Sequence, residues 1–278
     1  MQGLESSSLT NPGRKRSNNE DCYLSLPEQN LWMVADGMGG HEAGEVASDI
    51  VRRTLKEQTT SSLQTAIQNA HKAVLSAAAK GIGAEGMGST VVAMKHWGDH
   101  YEIAWVGDSR AYLYTPGQDL EALTTDHSYV QMLLESGAIE PNEAHTHPDK
   151  NIITQCLGSQ ELDEVTVDTL TKSWQDNQWI ILCSDGLSDE LETSEMSRII
   201  KQCTDVKSVT RELIQAALRA GGRDNITVQA IAAPTTKPGV FSALSQWVPI
   251  FTHNRTLDKL IFGTAFLLLL ALLYWTFK

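Results

Sequence analysis

The chain has 278 residues, enough for one large domain or two small ones with an ample core. Asp and Glu number 34 against 22 Lys and Arg, giving a net charge of −12. No basic run with interleaved aromatics occurs, which excludes a surface built for nucleic-acid phosphates; most of the acidity serves solubility.

Met1-Gln2-Gly3-Leu4-Glu5 has neither a basic region nor an apolar core, so no signal peptide is expected. Residues 22–26 and 31–35 flank Pro27-Glu28-Gln29-Asn30 and read as a hairpin. Helices are expected over 44–57 and 63–80. Strands are expected over 90–95, 101–106 and 111–114, with turns at Trp97-Gly98-Asp99-His100 and Thr115-Pro116-Gly117-Gln118. A helix over 129–136 leads into a polar stretch in which His145 and His147 read as exposed loop residues. Strands over 165–170 and 179–183 follow, then helices over 194–202 and 206–220 and a last strand over 226–232. Val206, Val209, Leu213 and Ala217 fall on one helical face. Strands joined by tight turns favour antiparallel pairing, so the class is α+β, with helices layered over sheets.

Residues 1–233 form the globular part, and 234–256 are a linker by composition, with Pro234, Pro238, Gly239 and Pro249. Residues 257–278 read as a C-terminal membrane anchor. Its stretch 260–277 carries no charge, and eighteen helical residues span about 27 Å, close to a bilayer core. Arg255 and Lys259 precede it, and Tyr274 and Trp275 lie near its far end, where aromatic belts form. The expected placement is the cytoplasmic membrane, single-pass, with the globular part in the cytoplasm and only Lys278 beyond the span. Cys22, Cys156, Cys183 and Cys203 show no zinc-ligand spacing and fit a reducing compartment. None has Arg six positions later, which removes the phosphate-cradling thiolate loop.

Four acidic stretches carry the chemistry: Asn19-Glu20-Asp21, Asp36-Gly37-Met38-Gly39-Gly40-His41, Ser184-Asp185-Gly186-Leu187-Ser188-Asp189 and Gly221-Gly222-Arg223-Asp224-Asn225. Asp108 follows a further strand. A buried carboxylate needs a compensating charge. Several carboxylates converging on one point suggest hard divalent cations with oxygen ligands. Gly37 lacks a side chain, so its carbonyl can approach an ion. Two such ions would offset the carboxylates' repulsion, acidify a water and hold phosphate oxygens. Arg14 and Arg16 are the candidate phosphate clamps, with Arg16 at the tighter spacing from Glu20.

Seven segments in order resemble the metal-dependent protein phosphatases (type 2C serine/threonine phosphatases), in their bacterial form. They are Gly13-Arg14-Lys15-Arg16-Ser17-Asn18-Asn19-Glu20-Asp21, the Asp36 and Asp185 stretches above, Gly86-Met87-Gly88-Ser89-Thr90, Gly107-Asp108-Ser109-Arg110, Leu123-Thr124-Thr125-Asp126-His127-Ser128 and Gly222-Arg223-Asp224-Asn225-Ile226-Thr227-Val228. They cover nearly all of residues 9–233. The resemblance implies a four-layer α-β-β-α sandwich of two antiparallel sheets flanked by helices. It implies hydrolysis of phosphoserine and phosphothreonine in proteins by a water bridging two Mn²⁺ or Mg²⁺ ions, with no phosphoenzyme. Asp36 would bridge the ions, Asp185 and Asp224 would complete one, and the Gly37 carbonyl with Glu20, directly or through water, would serve the other. Asp108, with Asp185 or Asp189, would match a third, weaker site. Asp21 and Asn225 would support the ligands, and Arg16 would hold the phosphate. Where some members carry a His after the bridging Asp-Gly, this chain has Met38. His41, three residues on, either reaches the cleft as an acid or caps the next helix. The expected partners are phosphoproteins, among them a cognate serine/threonine kinase or its targets at the membrane. A tethered binding module without turnover and a two-metal nuclease are the other readings; the second lacks a basic surface.

Overall fold

Leu31-Trp32-Met33-Val34-Ala35 is apolar at every position, which a strand tolerates only when both its faces are covered. All five residues are buried. A computed structural model describes residues 4–40, 43–144 and 146–234. Its elements are β1 (Ser6–Asn11), β2 (Asp21–Leu26), β3 (Leu31–Met38), α1 (Ala43–Glu57), α2 (Leu63–Ala79), β4 (Gly88–Ser89), β5 (Val91–Trp97), β6 (His100–Val106), β7 (Arg110–Tyr114), β8 (Glu121–Ala122), α3 (Tyr129–Glu135), α4 (Pro141–Ala144), β9 (Asp168–Ser173), β10 (Trp179–Cys183), α5 (Asp185–Ser188), α6 (Thr193–Ile200), α7 (Val206–Ala220) and β11 (Ile226–Ala232).

The strands form two antiparallel sheets. One runs β1-β11-β10-β7-β8; the other runs β2-β3-β5-β6-β9, with β4 paired to β3. Strand alternation then divides the core into three layers. Trp32, Val34, Val92, Met94 and Ile103 of one sheet meet Leu113, Ile180, Leu182 and Ile231 of the other. Met33, Ala35, Val91 and Ala93 point the opposite way, against Val51 and Leu55 of α1 and Ile67 and Val74 of α2. On the far side, Ile181, Cys183, Val228 and Ala230 pack on Val209, Leu213 and Ala217 of α7. The expected layering of helix, sheet, sheet and helix is the one observed.

Two local expectations are corrected. The strand expected over 165–170 lies instead at Asp168–Ser173, pairing with β6. Val165 and Val167 are buried against α2 rather than laddered, and the Val165 carbonyl accepts from Gln68 Nε2. The strand Ser6–Asn11 was not anticipated from its polar sequence; it is held by six-residue pairing to β11. Among the described residues no helix is long and apolar enough to cross a membrane. The stretch 260–277, the linker beyond Pro234, His41 and His145 lie outside the described residues.

Candidate active site

Antiparallel pairing brings the acidic stretches to one end of the two sheets. Asp21 at the start of β2 pairs with Asp36 near the end of β3. Cys183 at the end of β10 pairs with Arg110 at the start of β7 and with Val228 of β11. Asp185 and Asp108 therefore fall beside the turns that carry Asp224 and Asn225. The sheets are joined here by Asp21: its Oδ2 accepts from Ser184 Oγ and Thr227 Oγ1, each at 2.7 Å.

Three backbone contacts are too close for any side chain. A Cβ at Gly186 would lie 1.9 Å from the Asn225 carbonyl oxygen, and one at Gly37 would lie 1.9 Å from that of Gly44. A Cβ at Gly44 would lie 2.7 Å from the Gly37 oxygen and 2.8 Å from Glu20 Oε2. The bare Gly44 thus leaves a small cradle with the Gly37 carbonyl and the Glu20 carboxylate on its walls. Glu20 is fixed through its backbone. Its N–H donates to Asn225 Oδ1 at 2.7 Å, and its carbonyl accepts from Gly37 N at 3.1 Å and Ser48 Oγ at 2.7 Å. Asn225 also donates to the carbonyls of Pro12 at 3.0 Å and Asn18 at 2.8 Å. Asp36 is fixed by reciprocal bonds with Thr90, whose hydroxyl accepts from its N–H at 3.1 Å and whose N–H donates to its carbonyl at 2.8 Å.

Crowding sets the electrostatics. Burial, followed by the charges of Asp21, Asp185 and Asp108, pushes Asp36 well above the usual carboxylate range. Asp108 is raised likewise, by burial first and then by Asp185 and Asp126. Asp185 is pushed up to about 6, by burial and then by Asp189. Asp21 is pushed up to about 7 by burial, against the two hydroxyl donors that favour its charged form. Burial also raises Glu20. Asp21 Oδ1, Asp108 Oδ1 and Asp185 Oδ1 are buried with no hydrogen-bond partner. Buried carboxyl oxygens without donors, on groups whose charges repel one another, are what a divalent cation would satisfy.

All the expected site residues within the described region are brought together, with two differences from their expected roles. Arg16 does not stand free for phosphate: its Nη2 donates to Asp224 Oδ2 at 2.6 Å. Lys150 likewise takes Asp189 Oδ2 at 2.6 Å. Among the described residues no group of three or more acidic, His or Cys side chains is placed, as it stands, to hold a metal ion. Uncompensated carboxylates recruit the nearest cationic side chains, and that accounts for both pairings. Asp189 N donates to the Asp185 carbonyl at 2.7 Å, the expected single helical turn. His147 is half-buried rather than exposed, and its Nδ1 accepts from Asp149 N at 3.1 Å.

The sequence reading missed Ser184 and Thr227 as the anchors of Asp21, Thr90 as the anchor of Asp36, and Lys150. Thr227 sits between Ile226 and Val228 in β11, and a hydroxyl among apolar neighbours was the one sequence signal for it. A shallow hollow of about 120 Å³ opens on Asp185, Asp189 and Asp224, rimmed by Lys150, Glu190 and Arg223. A larger groove of about 620 Å³ between α6 and α7 is lined by Arg198, Arg211, Glu195 and Glu212. Its charges are mixed, so chemistry rather than volume marks the site.

A sequence profile described as Protein phosphatase 2C matches residues 13–226. The serine/threonine phosphatase stp of Listeria monocytogenes is 37% identical over 245 residues, covering 83% of this chain and 96% of that protein. The crystal structure of serine/threonine phosphatase Stp1 from Staphylococcus aureus superposes with a TM-score of 0.76 at 34% identity, covering 83% of this chain and 95% of the other. The catalytic domain of the serine threonine protein phosphatase PstP, solved in complex with two manganese ions, superposes with a TM-score of 0.74 at 33% identity, covering 84% and 99%.

Proposed function

This chain belongs to the protein phosphatase 2C family and is a serine/threonine phosphatase, and on that premise we propose that its carboxylate cluster holds two divalent cations, Mn²⁺ or Mg²⁺, for hydrolysis of phosphoserine and phosphothreonine in proteins. The observation that carries the reading is the set of orphaned oxygens on Asp21, Asp108 and Asp185 beside the Gly37–Glu20–Gly44 cradle. Asp36, which feels the charges of Asp21, Asp185 and Asp108, would serve both ions. Asp185 and Asp224 would hold one ion; Glu20 and the Gly37 carbonyl would hold the other. Asp108, with Asp185 or Asp189, would hold a third. When bound, such ions supply charge compensation for the phosphate and acidify the attacking water.

The chain's own residues do the rest. Asp21 is set by Ser184 and Thr227 and keeps the Asp36 side of the cluster in place. Arg16, half-exposed, pairs with Asp224 and would hold two phosphate oxygens of the substrate if Asp224 served a cation instead. The Asn225 clasp holds Glu20 and Arg16 in register with Asp224. The phosphoryl group would pass directly to water: the new P–O bond forms as the bond to the seryl or threonyl oxygen breaks, that oxygen takes up a proton from water, and no side chain is phosphorylated.

The uncharged stretch 260–277 supports a tether to the cytoplasmic membrane, with the catalytic part on the cytoplasmic side. There the chain would oppose a serine/threonine kinase or act on its targets. Deleting 254–278 should release the chain into the soluble fraction; retention on membranes would remove the tether. For the chemistry, phosphate release from phosphothreonine peptides should require Mn²⁺ or Mg²⁺, stop with EDTA and stop in Asp36→Ala. Metal-independent release would defeat the reading.

A further inference from the structure

One polar ring stands in the apolar buried face of α2: His71, fully buried between Ile67 and Val74. Both of its nitrogens are used. Nδ1 accepts from Gly158 N at 3.1 Å, and Nε2 lies 3.1 Å from the Leu162 carbonyl oxygen. A backbone N–H can only donate and a carbonyl can only accept, so the ring is neutral with its proton on Nε2. A protonated ring would set an Nδ1–H against the Gly158 N–H. Burial, opposed by the bond to Leu162 and aided by the Lys72 charge, lowers its pKa from the ordinary 6.5. In the adjoining segment Glu161, Asp163 and Glu164 are exposed and Cys156 is half-buried. On α1, Asp49 is paired with Arg52 and Arg53, and Glu45, Lys56 and Glu57 are exposed. On β5, Lys95 donates to the Thr59 and Ser61 carbonyls, and His96 is engaged with Trp174.

The segment that His71 grips reaches the carboxylate cluster through one bridge. Leu157, next to Gly158, exchanges both backbone bonds with Ser89, at 2.8 and 3.0 Å. Ser89 is also the β4 partner of Gly37 on β3. Its neighbour Thr90 makes the reciprocal bonds with Asp36, and the Thr90 hydroxyl meets Ser109 Oγ, beside Asp108, at 2.8 Å. The junction is tight. Gly158 has φ +87°, and a Cβ there would lie 2.4 Å from Val74 Cγ1 and 2.7 Å from the Met87 carbonyl oxygen. We propose that neutral His71 is a positioning residue for the metal site: it clamps 158–162 to α2 and, through the Leu157–Ser89 bridge, holds the end of β3 that carries Asp36 and Gly37. This deepens the two-cation reading and rests on it. His71 touches neither cation nor substrate, and its grip is lost when the ring takes a second proton.

The test uses the full chain with His71→Leu, which loses both bonds, and His71→Gln, whose amide supplies one acceptor and one donor and does not titrate. At pH 7.5, Mn²⁺ affinity by equilibrium dialysis should fall about tenfold in His71→Leu and match wild type in His71→Gln. In the metal-free chain, the Ser89, Leu157 and Gly158 amides should exchange hydrogen faster in His71→Leu alone. The neutral ring is the form the fold prefers, so the contribution of His71 is complete above about pH 6.5 and is lost as pH falls. The ratio of wild-type to His71→Gln affinity for Mn²⁺ should therefore be constant above pH 7 and decline towards pH 5; protonation of the carboxylates is common to both proteins and cancels. Unchanged Mn²⁺ affinity in His71→Leu, whatever its stability, would overturn the proposal by reducing His71 to a packing residue. A His71→Gln variant as weak as His71→Leu, or a ratio flat from pH 7.5 to 5, would overturn it as well, and this second arm decides if His71→Leu does not fold. In each of these cases saturable Mn²⁺ binding by wild type keeps the two-cation reading standing; its absence would overturn that reading and the proposal with it.

Discussion

Replacing Asn225 with Ala tests whether one side chain holds the two halves of the site together. Asn225 is buried and makes three hydrogen bonds: from Glu20 N at 2.7 Å, to Pro12 O at 3.0 Å and to Asn18 O at 2.8 Å. At about 1 kcal/mol net each, their loss removes about 3 kcal/mol of stability, and more if the freed Glu20 N–H stays dry. The functional consequence is separable. The segment that Asn225 grips carries Arg16 and Glu20, whereas Asp224 and Asp185 sit on other elements, so loosening it should weaken metal binding more than it disorders the sheets. Urea unfolding should show a lower midpoint with an unchanged slope, and Mn²⁺ titration should show at least a tenfold affinity loss. Asn225→Asp separates the contributions, since it keeps the acceptor for Glu20 N and loses both donors. It should be nearly as damaging as Ala, because it also adds a buried carboxylate to the cluster. A stability loss below about 1 kcal/mol with unchanged Mn²⁺ affinity would refute the reasoning. The segment would then be held by other contacts, such as Arg14 N to Gly222 O at 2.6 Å.

Three further outcomes are expected. In EDTA, Asp21 (about 7) and Asp185 (about 6) have folded-state values above their unfolded ones, near 4. Their protonated forms stabilise the fold fully below about pH 4, and that contribution fades as pH rises towards 7. The thermal midpoint of the metal-free chain should therefore fall from pH 5 to 7.5 relative to Asp21→Asn, and Mn²⁺ should restore it; a parallel profile for the two proteins would contradict this. Gly186→Ala drives a Cβ to 1.9 Å from a backbone oxygen and should cost about 3 kcal/mol or prevent folding, as read by chemical denaturation. Burial pushes the Cys22 and Cys183 thiols up to about 12, so iodoacetamide at pH 8 should leave both unmodified in the folded chain by peptide mapping.

Much of this was legible in the chain because the physics was local. Leu31 to Ala35, apolar throughout and closed by Asp36-Gly37, reads as a hairpin strand that delivers a carboxylate to its end. The 206–220 helix declared itself by the spacing of Val206, Val209, Leu213 and Ala217. What stayed hidden was non-local. Ser6-Ser7-Ser8-Leu9-Thr10-Asn11 has one large apolar residue, and only pairing with β11, more than 200 residues away, makes it a strand. Val165 and Val167 look like ladder residues and are instead buried against α2. Thr227 and Ser184 carry ordinary strand-end hydroxyls until folding turns both onto Asp21. The Arg16–Asp224 pair spans 208 positions, and no spacing rule reaches that far.

The central claim is that the carboxylate cluster holds divalent cations, and counting them is the most direct test. Equilibrium dialysis against Mn²⁺ at pH 7.5 should saturate at two or more ions per chain for the wild type, as in the manganese-bound relative, and below two for Asp36→Asn of unchanged thermal stability in EDTA. No saturable binding by the folded wild-type chain, or a count untouched by Asp36→Asn, would contradict it.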